Sequence, residues 1–573
     1  MGRSDVTIFD VDAGANAQVT LTGAQAAGLA SAVSAESPSN DVEITLTGLS
    51  ARGIPGVVDL STGDVFNPDF PRLAAYRIGR KNWGDNPTRT GLGWDVDVNE
   101  VANLAAFHWS IINAQQGRGA SFVTAASDWV TRCRAINSDH IRFLYTDMQE
   151  TGSDDSTVTN QKLLSETGPT GNGGTWLPND WLGRDTSGGE VSAFAGLRLV
   201  NPTVNVTRDS SNLIFPEWYA DYVYPRDFEP HNSGDIDFHL YDDVVDHVLR
   251  TNRIDLNRND LRDEGNRDWD VPGSEGAEQA ELYRQGHRIY SDRMISKKAG
   301  LLSIVNAVRW FDEYTSPNPD DAPPIHSFYE GAFHGGVVEG QSVDNTRNPF
   351  SGLWTDGFVN SAFGSFRMAM NGYMYQMRHM LSPKLVCNAW GADIPTRSLN
   401  PVVGTDITAR AMKGCRFAIG CTLLDDGYVY ITNELDRYNS SPHWDEYGTV
   451  NQSVTGLSGG YLGQRVGLSQ SAQEDITKQS SVWLGSDLNG IFKAVFLDPV
   501  SGKQRVVLVN SRKSDTGSIT IPVHAGADED NGELEAGKWT RFQGHQDPIH
   551  NNGQTVNSNL DVDSFDSYIL LEN

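Results

Sequence analysis

Apolar runs of seven to nine residues recur from Pro71 onward, separated by longer polar or helix-compatible segments. This alternation is typical of parallel strands joined by crossovers. Eight runs are candidate strands: 73–79, 104–111, 140–147, 235–243, 301–308, 332–339, 384–390 and 417–424. Eight is the number of strands that closes a barrel, and the glycine-rich loop of a doubly wound sheet is absent after the first run. We therefore predict an α/β fold, a (β/α)₈ TIM barrel over residues 71–478.

The pattern changes on both sides of this region. Residues 1–70 are rich in Ala, Ser, Thr and Gly and contain two similar strand-like pieces, at Val19 and Ile44, which predicts a small β-rich, adaptor-like module. After Gln479, short alternating strands and turns predict a C-terminal antiparallel β-sandwich over residues 479–573. The segment 152–234 is too long for an ordinary connection, so we expect an elaborated loop region over the barrel mouth.

Composition narrows the classes of partner. The net charge of −29 over 573 residues repels polyanions, and Lys and Arg are scattered, so the sequence does not predict a nucleic-acid-binding protein. Neutral glycans or cations fit this charge better. No apolar run approaches the roughly 20 residues that span a bilayer, so no membrane span is expected. The excess of acidic residues fits a solvated surface better than it fits a saline environment.

The N-terminal residues and the cysteines bear on how the protein is exported and whether it forms disulfides. The start, MGRSDVTIFD, lacks the basic and apolar regions of a signal peptide. A glycan-directed protein of this kind would leave the cell by another route, so we expect an extracellular or virion-associated location. The four cysteines lack the spacing of a zinc site and are too few for a disulfide framework, which predicts buried thiols.

Acidic residues close two of the candidate strands. Glycoside hydrolysis needs two carboxylates facing one sugar, one as nucleophile or base and one as acid, on rigid supports. The fourth run ends in Asp242 and Asp243, and the sixth ends in Glu339. We therefore predict Asp242 or Asp243 together with Glu339 as the catalytic pair. The alternative is that one of these carboxylates, most readily Asp243, caps the following helix.

Further polar and aromatic residues are candidates for sugar binding. Aromatic rings stack on sugar faces, and the segment Trp444, Asp445, Glu446, Tyr447 combines two rings with two acids beyond the eighth run. Asn306 and Trp390, in the fifth and seventh runs, are additional candidates. Structural aromatic residues with solvated acids would explain the same segment equally well.

One segment has the alternating oxygen side chains of a calcium loop, at Asp255, Asn257, Asn259 and Asp263. The match is incomplete, because Asp260 stands where such a loop needs glycine, and Asn266 stands where it needs a bidentate glutamate. Calcium is thus an alternative to a solvated turn. The predicted chemistry requires no cofactor.

Several motifs in order bring a family resemblance into view: DFHLYDDVVD, IDLNRNDLRDE, LLSIVNAV, FHGGVVEG, TLLDDGYVY, WDEYG and the closing KWTRFQGHQDPIHNNGQTV with SYILL. From about Pro71 to the C-terminus, the chain resembles the TIM-barrel glycoside hydrolases grouped as hypothetical glycoside-hydrolase-like family fifteen. The resemblance implies that Asp242, closing the fourth strand, and Glu339, closing the sixth, are the catalytic pair. The chain departs from the family in having Asp243 beside Asp242 and in lacking a signal peptide.

The leading hypothesis is an O-glycosidase that cleaves a cell-surface or extracellular polysaccharide. Its rival is a structural or receptor-binding virion component, for example of a phage, whose barrel binds glycans and whose N-terminal module binds other virion proteins. Fold alone does not separate the two. A polysaccharide lyase is disfavoured, because the acidic surface would repel uronate substrates.

Overall fold

A computed structural model describes the chain over residues 19–22, 44–47, 68–75, 108–113, 135, 140–148, 150–151, 178–189, 191, 198–225, 238–242, 255–256, 271–298, 301–306, 333–342, 366–392, 409–433, 444–448, 459–467, 469, 491–498, 500–511, 518–544 and 546–573. The chain divides into two compact units, Met1–Thr62 and Gly63–Asn573. In the first unit, β1 (Val19–Thr22) pairs in parallel with β2 (Ile44–Thr47), and these are the two strand-like pieces noted in the sequence.

The second unit contains a sheet in which the described residues form eight parallel strands. They are β3 (Ala74–Ala75), β4 (Trp109–Asn113), β5 (Ile141–Asp147), β8 (Phe238–Asp242), β9 (Leu302–Asn306), β10 (Gly335–Ser342), β11 (Cys387–Ala392) and β12 (Tyr428–Asn433). Their spatial order is their chain order. The first and last strands meet, because Leu73 bridges Val429 in parallel and the Val429 amide donates to the Arg72 carbonyl at 2.9 Å. The sheet is therefore closed.

Seven of the eight predicted runs overlap these strands, and the eighth prediction is wrong. Residues 417–424 lie mostly in a helix, Ala409–Leu423, and the eighth strand is β12. A short, continuous apolar run does not distinguish a strand from a helix that is buried on several sides. This helix is such a case, since Phe417, Ala418, Ile419 and Cys421 are all buried. The predicted α/β class is confirmed, whereas several of the segments that would carry further barrel helices lie outside the described residues.

Four helices of eight or more residues are described: α1 (Phe215–Val223), α2 (Glu275–Lys297), α3 (Phe366–His379) and α4 (Ala409–Leu423). Ser274 caps α2 by accepting a hydrogen bond from the Ala277 amide at 3.0 Å, as N-cap serines do. The predicted loop region 152–234 contains α1, whose Phe215 and Trp218 pack with Trp181. That region also supplies β7 (Arg198–Leu199), which pairs with β6 (Glu150–Thr151).

Alternate side chains of the closed sheet enter two separate apolar clusters. Leu240, Ile304 and Val337 belong to a compact cluster of strand residues, whereas Tyr241 and Val305 pack with helix residues in a larger cluster. Because neighbouring strand residues point to opposite faces, the compact cluster fills the interior and the larger one lies between the sheet and its helices. Among the described helices, none is both long and apolar enough to cross a membrane.

The C-terminal part forms a five-stranded antiparallel sheet of order β13-β14-β15-β21-β19. Its strands are β13 (Gln464–Arg465), β14 (Ile491–Leu497), β15 (Gln504–Asn510), β19 (Trp539–Arg541) and β21 (Asp566–Glu572). Two separate pairs of short strands accompany this sheet. β16 (Ile519–Ile521) pairs with β20 (Leu560–Val562), and β17 (Val523–His524) pairs with β18 (Leu534–Glu535). We call the sheet, these two pairs and the described segments that connect them the C-terminal layer. The sheet begins at Gln464, before the expected boundary at 479.

The C-terminal sheet is buried on both faces. In β15, Val507 and Val509 join the cluster that contains α4, and Val506 and Leu508 face the short strand pairs. This explains the continuous apolar run of β15. At Gly420 in α4, a Cβ atom would lie 2.6 Å from the Ser567 Cβ, so only glycine allows the helix this close to the sheet.

Candidate functional site

Polar residues end several strands of the closed sheet. Asn113 ends β4, Asp147 ends β5, Asp242 ends β8 and Asn306 ends β9. Since the strands are parallel, these residues lie at one edge, the carboxyl edge. Each stands an even number of residues after an interior residue of its own strand, namely Trp109, Ile141, Leu240 and Ile304. They therefore occupy positions on the interior face, at the edge where closed (β/α) sheets carry their active sites.

Glu339 lies within its strand and does not close it. The prediction ended the sixth strand at this residue, but β10 continues to Ser342, with a register shift against β11 between Val338 and Gln341. Such bulges re-aim strand residues and are frequent beside active sites. Asp242 and Glu339 are both in the carboxyl halves of their strands, with only β9 between them. Asp243 lies outside the described residues.

A third carboxylate, which sequence reasoning missed, stands next to Asp242. Asp147 on β5 pairs in register with Asp242 on β8. The signal was present, because the third run ends in Asp just as the fourth does.

A buried polar network lies on the helix side of these strands. The Thr146 hydroxyl is 2.5 Å from His239 Nε2 and 2.9 Å from the Tyr290 hydroxyl, and Tyr290 lies 3.2 Å from the same histidine nitrogen. Tyr241 bonds to His287 Nδ1. Burial lowers the pKa of His239 to about 3, so the ring is neutral. Thr146 and Tyr241 directly precede Asp147 and Asp242, so the network ties these two strand ends to each other and to α2.

The segment Trp444–Tyr447 contacts the C-terminal layer. All four residues are buried, at 1%, 5%, 6% and 0% exposure in chain order. Asp445 exchanges two hydrogen bonds with Gln546, and Glu446 accepts one from Asn551. The predicted role in sugar binding has no support from this arrangement, since none of the four side chains is open to solvent. Aromatic and acidic residues together fit a buried interface as well as a binding cleft.

Some of the remaining predicted site residues are among the described residues, and others are not. Asn306 ends β9, and Trp390 lies in β11, both in the carboxyl half of the sheet. Of the calcium candidates, Asp255 is described; it is 5% exposed and its amide donates to the Arg184 carbonyl at 2.8 Å. Asn257, Asn259 and Asp263 lie outside the described residues. Within the described part of the chain, no three acidic, histidine or cysteine side chains form a group that could hold a metal ion.

Comparisons with known proteins give distant similarities only. No family model and no curated protein matches the chain. Among solved structures, an α-amylase from Geobacillus thermoleovorans shares 11% identity at a TM-score of 0.40, covering 88% of this chain and 98% of its own. A GH27 β-L-arabinopyranosidase from Geobacillus stearothermophilus shares 10% at 0.42, covering 89% and 97%. The glycoside hydrolase domain of PelA from Pseudomonas aeruginosa shares 10% at 0.30, covering 64% and 96%. The fold rests on the strand topology and not on these similarities.

Proposed function

We propose that the chain is a glycoside hydrolase whose closed sheet is the strand layer of a (β/α)₈ barrel and whose Asp242 and Glu339 act on one sugar. The observation that carries the proposal is the placement of two carboxylate residues on nearby strands at the carboxyl edge of a closed parallel sheet. That edge is where the loops of such folds form their binding clefts.

The spacing of the strands suits two-carboxylate chemistry. Neighbouring strands lie about 4.8 Å apart, so the backbones of β8 and β10 are separated by about 10 Å. Carboxyl groups about 5–5.5 Å apart give retention of configuration, and groups about 6.5–9.5 Å apart leave room for a water molecule and give inversion. Two acidic side chains reaching from these backbones toward a shared sugar can meet either requirement.

Each residue has a distinct role in the proposed reaction. Glu339 donates a proton to the departing glycosidic oxygen, while Asp242 attacks the anomeric carbon or deprotonates the water that does so. Asp147 stands beside Asp242 in register on the neighbouring strand. We assign Asp147 to binding sugar hydroxyl groups. The net charge of −29 favours a neutral or cationic glycan. We propose that the chain meets this glycan outside the cell, either free or carried on a virion.

The test compares the parent chain with Asp242→Asn and Glu339→Gln on a panel of neutral, amino-sugar and uronate polysaccharides. Asp292→Asn and Glu281→Gln make the same chemical changes at exposed positions of α2 and serve as matched controls. We expect release of reducing ends to fall by at least about 1000-fold in the two site variants, because each removes a group used only in the transition state. NMR of the first product anomer then distinguishes retention from inversion.

Two outcomes contradict the proposal. Equal rates in parent, Asp242→Asn and Glu339→Gln would show that these carboxylates do no chemistry. A parent that binds a glycan saturably but releases nothing from any member of the panel would favour the glycan-binding structural component instead.

A further inference from the structure

A buried polar cluster joins α4 and the turn 444–448 to the C-terminal layer. At its centre is Arg416 of α4, whose Nε and Nη2 atoms each donate to Asp566 at 2.9 Å, while Nη1 donates to Asp547. The side chains of Arg416 and Asp566 are 7% and 3% exposed. Each of the three guanidinium nitrogens thus donates to a carboxylate of the C-terminal layer.

Two more acidic residues enter the same cluster from the turn. The Asp445 carboxylate accepts from the Gln546 amide at 2.6 Å, and the Asp445 amide donates to Gln546 Oε1 at 2.9 Å. Glu446 accepts from Asn551 Nδ2 at 2.7 Å, and its carbonyl accepts from the Tyr461 hydroxyl at 3.1 Å. The Glu446 carboxyl group is therefore buried with acidic neighbours.

The groups around Glu446 leave its negative charge poorly compensated. The positive charge of Arg416 stabilises the ionised form of Glu446. Arg416 also forms ion pairs with Asp566 and Asp547. Burial lowers the pKa of His550 to about 4, so this neighbour of Asp566 is neutral. Three further titratable groups at the contact, Cys415, Tyr447 and Tyr461, are kept neutral because burial raises the pKa of each. Arg505, which acts on Tyr461, is paired with Asp498.

Burial raises the pKa of Glu446 to about 7, and Asp445 adds to the shift, while Arg416 and Asn551 oppose it. We propose that Glu446 is the proton-binding group of a pH-sensitive contact that holds the C-terminal layer against α4 and the closed sheet. With a proton bound, Glu446 packs as a neutral group. Without it, a further negative charge is buried beside Asp445, and the contact loosens.

The direction of the pH effect follows from proton binding. The folded chain holds this proton more tightly than the unfolded chain, whose glutamate has its ordinary pKa near 4.5. The stabilising effect is therefore complete at pH below about 4.5 and is lost as the pH rises through about 7. The opening equilibrium of the contact should rise by up to about two orders of magnitude over this range. This inference does not depend on the proposed glycosidase activity.

The test uses the full chain and the variant Glu446→Gln, which keeps the hydrogen bonding but cannot lose a proton. Glu281→Gln, at an exposed position of α2, is the matched control. Hydrogen exchange is measured between pH 5 and 8.5, corrected for the intrinsic rate, on peptides covering residues 409–423, 444–448 and 546–551. We expect protection of these peptides to fall with rising pH in the parent and in Glu281→Gln, and to stay constant in Glu446→Gln.

A second variant keeps the test decisive if Glu446→Gln fails to fold. Asp445→Asn removes a neighbouring charge and should move the pH at which protection is lost to a lower value, since Asp445 raises the affinity of Glu446 for its proton. Parallel pH profiles of the parent and Glu446→Gln would overturn the proposal. An unmoved profile in Asp445→Asn would do the same.

Discussion

The two edges of the closed sheet are built from different chemistry. At the amino edge, His108 stands directly before β4 and accepts the Leu73 amide on Nδ1 at 2.8 Å. His334 stands directly before β10 and accepts the Ser303 amide on Nδ1 at 3.2 Å. At the carboxyl edge, the same sheet ends in carboxylate and amide residues such as Asp147 and Asp242.

This difference separates stability from chemistry along the length of each strand. A histidine that accepts a main-chain amide holds two strand starts together without adding charge. Two carboxylates in register repel each other and lower the stability of the fold. Such a pair is kept where the charges have a function. Closed (β/α) sheets in general keep stability at the amino edge and function at the carboxyl edge. In this chain, His108 and His334 belong to the stabilising edge, and Asp147 and Asp242 belong to the edge assigned to function.

The largest expected effect is acid loss of stability at the amino edge. Burial lowers the pKa of His334 to about 4, below its ordinary value of 6.5, so the folded chain resists protonation there. The contribution of His334 to stability is therefore complete above about pH 6.5 and falls as the pH drops toward 4, by up to about 3 kcal/mol. Urea unfolding of the parent and His334→Gln from pH 7 to pH 4.5 checks this, because glutamine can accept the Ser303 amide but does not titrate.

The control for this experiment is an exposed position of α2. Asp292→Asn, which leaves both edges intact, should follow the parent. If His334→Gln loses stability in acid as steeply as the parent, His334 is not the source of the acid sensitivity.

A smaller effect is expected from the network behind the carboxyl edge. Thr146→Val keeps the shape of the side chain but removes the hydroxyl that contacts His239 and Tyr290. We expect the free energy of unfolding to fall by about 1–2 kcal/mol, the cost of leaving buried partners unsatisfied. Thermal unfolding measures the loss. Tyr283→Phe, a hydroxyl deletion on α2, is the comparison. An unchanged midpoint in Thr146→Val would mean that the network does not stabilise the strand ends.

The smallest expected effect is a gain in stability at the carboxyl edge. Asp242→Asn removes one of two like charges that stand in register on neighbouring strands. Relief of that repulsion should raise the free energy of unfolding by about 0.5 kcal/mol near neutral pH. The gain should disappear when the same change is made in an Asp147→Asn background. A loss of stability in Asp242→Asn would show that the carboxylate is there for folding and would weaken the contrast between the edges.

Most of the sheet could be predicted from the sequence, because apolar runs of strand length separated by long crossovers have few other solutions. The prediction failed at residues 417–424, where α4 is covered by the sheet on one side and by the C-terminal layer on the other. A helix buried in this way loses the polar stripe that would reveal its period. The same C-terminal layer explains why β15 is apolar at successive positions.

The candidate site was only partly predictable, for a related reason. Strand-end carboxylates can be found from sequence, so Asp242 was found, and Asp147 was within reach of the same reasoning. Rings beside acids suit both sugar binding and a buried interface, so the sequence of Trp444–Tyr447 leaves both open. Its actual partners, Gln546 and Asn551, lie about a hundred residues further along the chain. No local pattern reveals a contact across that distance.

The bridge between Leu73 and Val429 also determines when the sheet can close during synthesis of the chain. Arg72 bonds to the Asp426 carbonyl 354 residues further on, so the ring of strands stays open until nearly three quarters of the chain has left the ribosome. At synthesis rates of about 5–20 residues per second, the nascent chain spends roughly 20–70 s with two unpaired strand edges. Exposed edges recruit other chains. Newly made chains of this protein should therefore depend on chaperones that shield strand edges until β12 arrives, and truncations that end before Tyr428 should aggregate.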